Sequence, residues 1–112
     1  MPPAATRTVE VVTAPGLKQQ YRTLKLLVPE IADAIAIFNE YKREIPPRDL
    51  PGKMKDHALK GGLAGTRECH LAADILLLYT HEDDLLTMLK ICRHDGLYGK
   101  RGTATKRQVR KL

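Results

Sequence analysis

The stretch Arg67-Glu68-Cys69-His70-Leu71-Ala72-Ala73-Asp74 runs directly into Ile75-Leu76-Leu77-Leu78-Tyr79, and together they decide the fold. The first part alternates, with Cys69 and Leu71 on one side and Glu68 and His70 on the other, which predicts a strand with one face in the core. The second part is the most apolar run in the chain and predicts a strand buried more deeply. A third run, Leu85-Leu86-Thr87-Met88-Leu89-Lys90-Ile91-Cys92-Arg93, follows at once. Ala73-Asp74 and Glu82-Asp83-Asp84 are short polar connections suited to antiparallel hairpins. The spacing therefore predicts a meander of three strands at about 66–72, 75–81 and 85–93.

Upstream of the meander, Ile45-Pro46-Pro47-Arg48-Asp49-Leu50-Pro51-Gly52 holds three prolines, which fix φ and remove backbone donors. A long connection without regular structure is predicted from there to Gly65, and a loop of that length in a small domain is usually functional or disordered. It carries Lys53, Lys55, His57 and Lys60, and its glycines allow close approach to a ligand. Farther upstream, Leu17, Tyr21, Leu24 and Val28 recur at helical spacing, and so do Ile31, Ala34, Ile35, Phe38 and Tyr41. Pro29 separates the two patterns and is placed to start the second helix, while Thr13 is placed to cap the first, with Pro15 in its first turn. Arg7-Thr8-Val9-Glu10-Val11-Val12 alternates and predicts a first strand. The order is strand, two helices, loop, three strands, which is an α+β domain with the helices on one face of a sheet.

The 112 residues suit one domain, expected over residues 7–99 between a flexible N-terminus at 1–6 and a basic tail at 100–112. Residues 1–99 balance 13 Lys+Arg against 13 Asp+Glu, so the net charge of +6 belongs to Lys100, Arg101, Lys106, Arg107, Arg110 and Lys111. Such a tail suits phosphate or an acidic partner, with strong salt dependence. Nothing approaches the ~20 apolar residues of a membrane-spanning helix, and Met1-Pro2-Pro3-Ala4-Ala5 does not read as a signal peptide. Cys69 and Cys92 read as reduced, buried thiols. A cytoplasmic protein without membrane contact is expected.

The chain contains no serine, so a serine nucleophile is excluded. A metal site is disfavoured: Cys69 and His70 point to opposite faces of a strand, and no Cys-x-x-Cys or His-x-x-x-His spacing occurs. Neither metal nor cofactor is expected. Of four histidines, His81 sits beside Glu82-Asp83-Asp84 in a hairpin turn and reads as structural. His57, His70 and His94, with Asp74 and nearby cations, form a set able to do general acid–base work. That set suits attack of a ribose 2′-hydroxyl on its adjacent phosphate, in which RNA supplies its own nucleophile and Lys or Arg stabilises the charge on phosphorus.

Asp56-His57-x-Leu59-Lys60-Gly61, Arg67-Glu68-Cys69-His70-Leu71 with Asp74, the apolar run ending in Tyr79, and His94 followed by Tyr98 resemble the RelE/ParE superfamily of type II toxins, and most closely its YafQ branch of mRNA interferases. The resemblance covers roughly residues 7–98. It implies a RelE-like microbial RNase fold, β-α-α-β-β-β, with an antiparallel sheet packed on an αα-hairpin. It also implies metal-independent cleavage of mRNA on the ribosome, giving a 2′,3′-cyclic phosphate and a 5′-hydroxyl. By matching position, His57, His70, Asp74 and His94 become the catalytic set, with His94 the favoured general acid and the base left open. Lys60 and Arg67 become phosphate contacts, and Tyr98 a contact to a base. The implied partners are a cognate antitoxin, mRNA and the ribosome with its rRNA. Two features depart from the branch: Ile75 stands where tryptophan is frequent, and the chain continues for 14 residues past Tyr98. A non-catalytic member, gyrase-directed or inactivated, is the alternative reading.

Overall fold

The chain pairs its strands in the order β1-β5-β4-β3-β2, so the first strand in sequence lies beside the last. The computed structural model describes residues 9–93. His94, Tyr98, residues 1–6 and the basic residues 100–112 lie outside the described residues. The strands are β1 (Glu10–Thr13), β2 (His57–Ala58), β3 (Arg67–Ala72), β4 (Ile75–Glu82) and β5 (Leu85–Arg93). The helices are α1 (Leu17–Leu27) and α2 (Ile31–Lys42). β3, β4 and β5 form the predicted antiparallel meander. β1 runs parallel to β5, with Val11 opposite Leu86 and Thr13 opposite Met88.

Three local expectations are corrected. Thr13 does not cap α1, because it is a strand residue and the Ala14 N–H continues the pairing by donating to the Met88 carbonyl at 2.8 Å. The chain turns instead through Gly16, whose φ of 87° is open to glycine at little cost. Pro15 therefore precedes the helix, which has no side-chain cap. Pro29 lies in the turn between the helices, where its carbonyl accepts from the Ala32 N–H, and Glu30 is the N-cap of α2.

The long connection is also more ordered than three prolines suggest. It forms short 3-10 turns at Gly52–Met54 and Gly61–Leu63, with β2 between them. β2 is only two residues long, yet it gives the edge of β3 a partner, with His57 opposite Glu68 and Ala58 opposite Arg67. An unpaired strand edge is a row of unsatisfied donors and acceptors, and even a short segment relieves part of it.

The apolar run 75–79 does not alternate in hydropathy because both faces of β4 are covered. Ile75, Leu77 and Tyr79 meet the helices in a core with Leu17, Ile31, Phe38, Leu71, Leu86, Met88 and Ile91. Phe38 and Tyr79 are fully buried and meet edge to face, with centroids 4.9 Å apart. On the opposite face Leu76 and Leu78 pack under Leu63 and Leu89, with Leu59 and Cys92 beside them. The loop thus roofs part of the sheet face that the helices leave open. A bulge in β5 resets the register from Lys90 opposite Leu78 to Met88 opposite Tyr79. Such a bulge increases local twist.

Candidate functional site

Alternation along β3 sorts its side chains between two environments. Cys69 and Leu71 turn toward the helices and are buried. Glu68 and His70 turn to the outer face, where register places them in rows with Leu78 and Lys90, and with Leu76 and Cys92. Glu68 is 2% exposed, unusual for a carboxylate. Its Oε1 lies 3.3 Å from Nε2 of His57, whose side chain is about half exposed. The other ring nitrogen of His57, Nδ1, is 2.8 Å from the Lys55 carbonyl oxygen. Both ring nitrogens therefore face acceptors. This pairing holds the imidazole in one orientation with an edge open to solvent.

His70 is half-buried and opens onto a recess of about 500 Å³ along the edge of β3. Lys53, Met54 and Lys55 from the loop line the recess, together with Asp33, Ala34 and Ile37 of α2. Glu30 also lines it, so two cations and two carboxylates share the recess with the His70 ring and apolar walls. Asp74 is exposed in the β3–β4 turn. Arg93, the last described residue, pairs with Ile75 immediately after it, so β5 ends beside that turn. Lys60 is exposed at the start of the second 3-10 turn.

Arg67 stands apart from this group. Its side chain lies toward the helices, where Nε and Nη2 reach the two carboxylate oxygens of Asp56 at 3.3 and 3.2 Å. The Tyr79 hydroxyl donates to Asp56 Oδ1 at 2.5 Å, and Lys42 Nζ lies 3.6 Å from Oδ2. Burial works against the charge on Arg67, but the hydrogen bonds to Asp56 and Tyr79 and the Asp56 charge outweigh it and hold the guanidinium above its ordinary pKa. Burial, reinforced by the hydrogen bond to Asp56, pushes the Tyr79 phenol well above its ordinary value.

The thiols are poor nucleophiles. Burial, with the nearby Asp56 charge, raises Cys69 to about 12, and burial raises Cys92 to about 11. Among the described residues no group of three His, Cys, Asp or Glu side chains is arranged to hold a metal ion. His81 lies half-buried away from the outer-face cluster, in a groove with Asp56, Arg67 and Asp83.

Sequence reasoning gave no role to Glu68, although its alternation with His70 was a usable signal. It missed the Lys42–Asp56–Arg67–Tyr79 cluster more completely. A lysine on a helix and a tyrosine ending an apolar run carry no local sign that they share a carboxylate.

Known proteins resemble this chain in sequence and in fold. A family model described as "Bacterial toxin of type II toxin-antitoxin system, YafQ" matches residues 10–99. The mRNA interferase toxin YafQ of Escherichia coli strain K12 is 38% identical over 50 residues, which are 45% of this chain and 54% of that protein. The match thus spans about half the length of that relative. A copper-bound mutant toxin from Helicobacter pylori superposes with a TM-score of 0.64 at 25% identity, over 80% of this chain and 98% of that one. The toxin in the Escherichia coli DinJ–YafQ toxin–antitoxin complex superposes with a TM-score of 0.64 at 20% identity, over 81% of this chain and 98% of the other.

Proposed function

The chain belongs to the YafQ family of bacterial toxins from type II toxin–antitoxin systems, and on that premise we propose that it is an endoribonuclease that cleaves mRNA on the ribosome. The relative named an mRNA interferase supports the activity. The observation that carries the reading is the outer-face cluster of His57, Glu68 and His70 beside a recess lined by Lys53 and Lys55. It supplies titratable rings and cations without an activated side-chain nucleophile, and a 2′-hydroxyl attack needs no more.

In this mechanism His57, His70 or Asp74 takes the proton of the 2′-hydroxyl. As the oxygen attacks phosphorus, His94 protonates the departing 5′-oxygen. The products are a 2′,3′-cyclic phosphate and a 5′-hydroxyl. Lys60, exposed on the loop, contacts the phosphate, and Tyr98 stacks on a base. Arg67 contributes through Asp56, because its guanidinium faces the helices. The basic residues 100–112 add salt-sensitive contact with rRNA. Function on the ribosome places the protein in the cytoplasm. A cognate antitoxin silences it, as the DinJ–YafQ complex suggests by analogy.

The test is incubation of the purified protein with ribosomes translating a defined mRNA, followed by analysis of the new ends. Fragments that polynucleotide kinase labels without prior phosphatase treatment carry 5′-hydroxyls, as this mechanism requires. New ends with 5′-phosphates, or no translation-dependent cleavage, would contradict it.

A further inference from the structure

His57 sits on a strand of two residues, and two register pairs are little to fix a catalytic ring. The residue before it makes far stronger attachments. The Asp56 side chain is only 10% exposed and meets Lys42 of α2, Arg67 of β3 and Tyr79 of β4. Three elements therefore converge on one carboxylate, and two of the partners are cations.

The geometry links that carboxylate to the ring of His57 in two ways. First, the dipeptides Asp56-His57 and Arg67-Glu68 interlock across the sheet edge: Asp56 grips Arg67 on the helix side, and His57 meets Glu68 on the outer side. Neither contact can slide without moving the other. Second, the carbonyl that holds His57 Nδ1 belongs to Lys55, so it lies in the peptide plane that enters Asp56. Lys55 itself has a φ of 49°, a left-handed conformation that is uncommon for a residue with a side chain. Anchoring the Asp56 carboxylate fixes that plane and keeps the carbonyl aimed at the ring.

We propose that Asp56 is a positioning residue that acts through His57, pinning the Lys55–His57 segment to the core so that the imidazole faces Glu68 in one orientation. The proposal rests on the reading of the outer face as the RNA-cleaving site. It accounts for a part-buried cluster of two cations, a carboxylate and a phenol that the acid–base steps do not use. It also separates the two acids of the edge: Glu68 touches the ring, whereas Asp56 fixes the backbone that carries it.

The experiment combines kinetics with ring spectroscopy on the full chain. Asp56→Asn keeps the size of the side chain and removes its charge. Misplacement of a catalytic ring by about 1 Å can cost on the order of a hundredfold, so the variant should lose about ten- to a hundredfold in kcat with little change in KM. In a His57→Ala background the same substitution should change kcat by less than about twofold, because the group it positions is gone. Tyr79→Phe removes one donor and leaves the ring in the core; it should shift kcat the same way by a smaller factor, which keeps the test open if Asp56→Asn folds poorly. Nitrogen-15 spectra of the His57 ring should show one hydrogen-bonded Nδ1 in the parent protein and an altered signal in both variants. An unchanged ring signal, or a kcat loss that persists in full without His57, would overturn the proposal. If the parent protein cleaves no RNA, the function reading fails by itself, and the ring spectra still decide the role of Asp56.

Discussion

On the helix side of β3, Arg67 ends in a carboxylate and a phenol, and Cys69 and Leu71 are sealed in the core. On the outer side, one residue out of step, Glu68 holds a half-exposed histidine and His70 opens onto a recess lined by both cations and acids. Six consecutive residues thus contribute both to a part-buried ion cluster and to the edge of the recess. The difference comes from the two-residue period of a strand and from what covers each face. Two helices close the inner face, while a short loop covers only part of the outer one. On both faces a largely buried carboxylate is paired: Asp56 with Lys42 and Arg67 on the inner side, Glu68 with the half-exposed His57 on the outer.

If that division is right, substitutions on the two faces should fail in different ways. The largest effect belongs to the outer face: His70→Ala should lose on the order of 10²–10⁴ in cleavage rate and leave the thermal midpoint nearly unchanged. A single-turnover assay beside a melting curve checks both halves. Phe38→Ala on the inner face should do the reverse. It removes a fully buried ring packed edge to face against Tyr79, and denaturant titration should show a loss of about 3–5 kcal/mol.

Glu68→Gln tests the outer face more finely. It preserves volume but weakens the contact with His57, and a hydrogen bond to a charged partner is worth about 1.5–3 kcal/mol, or about 10- to 150-fold in rate. Equal losses in stability and rate would blur the distinction between the faces, whereas a rate loss well above the stability loss sharpens it.

The smallest effect is a dependence on pH. The raised values of Cys69, Cys92 and Tyr79 mean that folding favours their neutral forms. The native state then holds protons that the unfolded chain releases above the ordinary thiol range. The stability due to these groups is therefore fully present at neutral pH and lost as pH rises through about 9 to 12. Denaturation midpoints measured from pH 7 to 11 should stay level first and then fall. A rise over the alkaline range would contradict the assignment of these groups to a sealed interior.

The meander was legible in the sequence because β3 alternates, β4 is continuously apolar, and the polar pairs between them are too short for anything but hairpins. The two helical stripes were legible for the same reason of period. β2 was not, since two residues carry no periodicity and their strand character comes wholly from the edge of β3. The start of α1 was misjudged because Thr13 has the chemistry of a cap, yet pairing with Met88 outweighs it. Among candidate site residues, alternation placed His70 on the more accessible face, where the structure also has it. The commitment of Arg67 to Asp56 depends on tertiary contacts with Lys42 and Tyr79, which no spacing encodes.

The most direct test of the central claim, that the outer face cleaves RNA, is mapping of mRNA 5′ ends in cells after induction of the parent protein and of His70→Ala. The account predicts new ends inside codons, dependent on translation, with the parent protein and their disappearance with the variant. The same ends at undiminished abundance with His70→Ala, or growth arrest by the parent protein without any new ends, would contradict it.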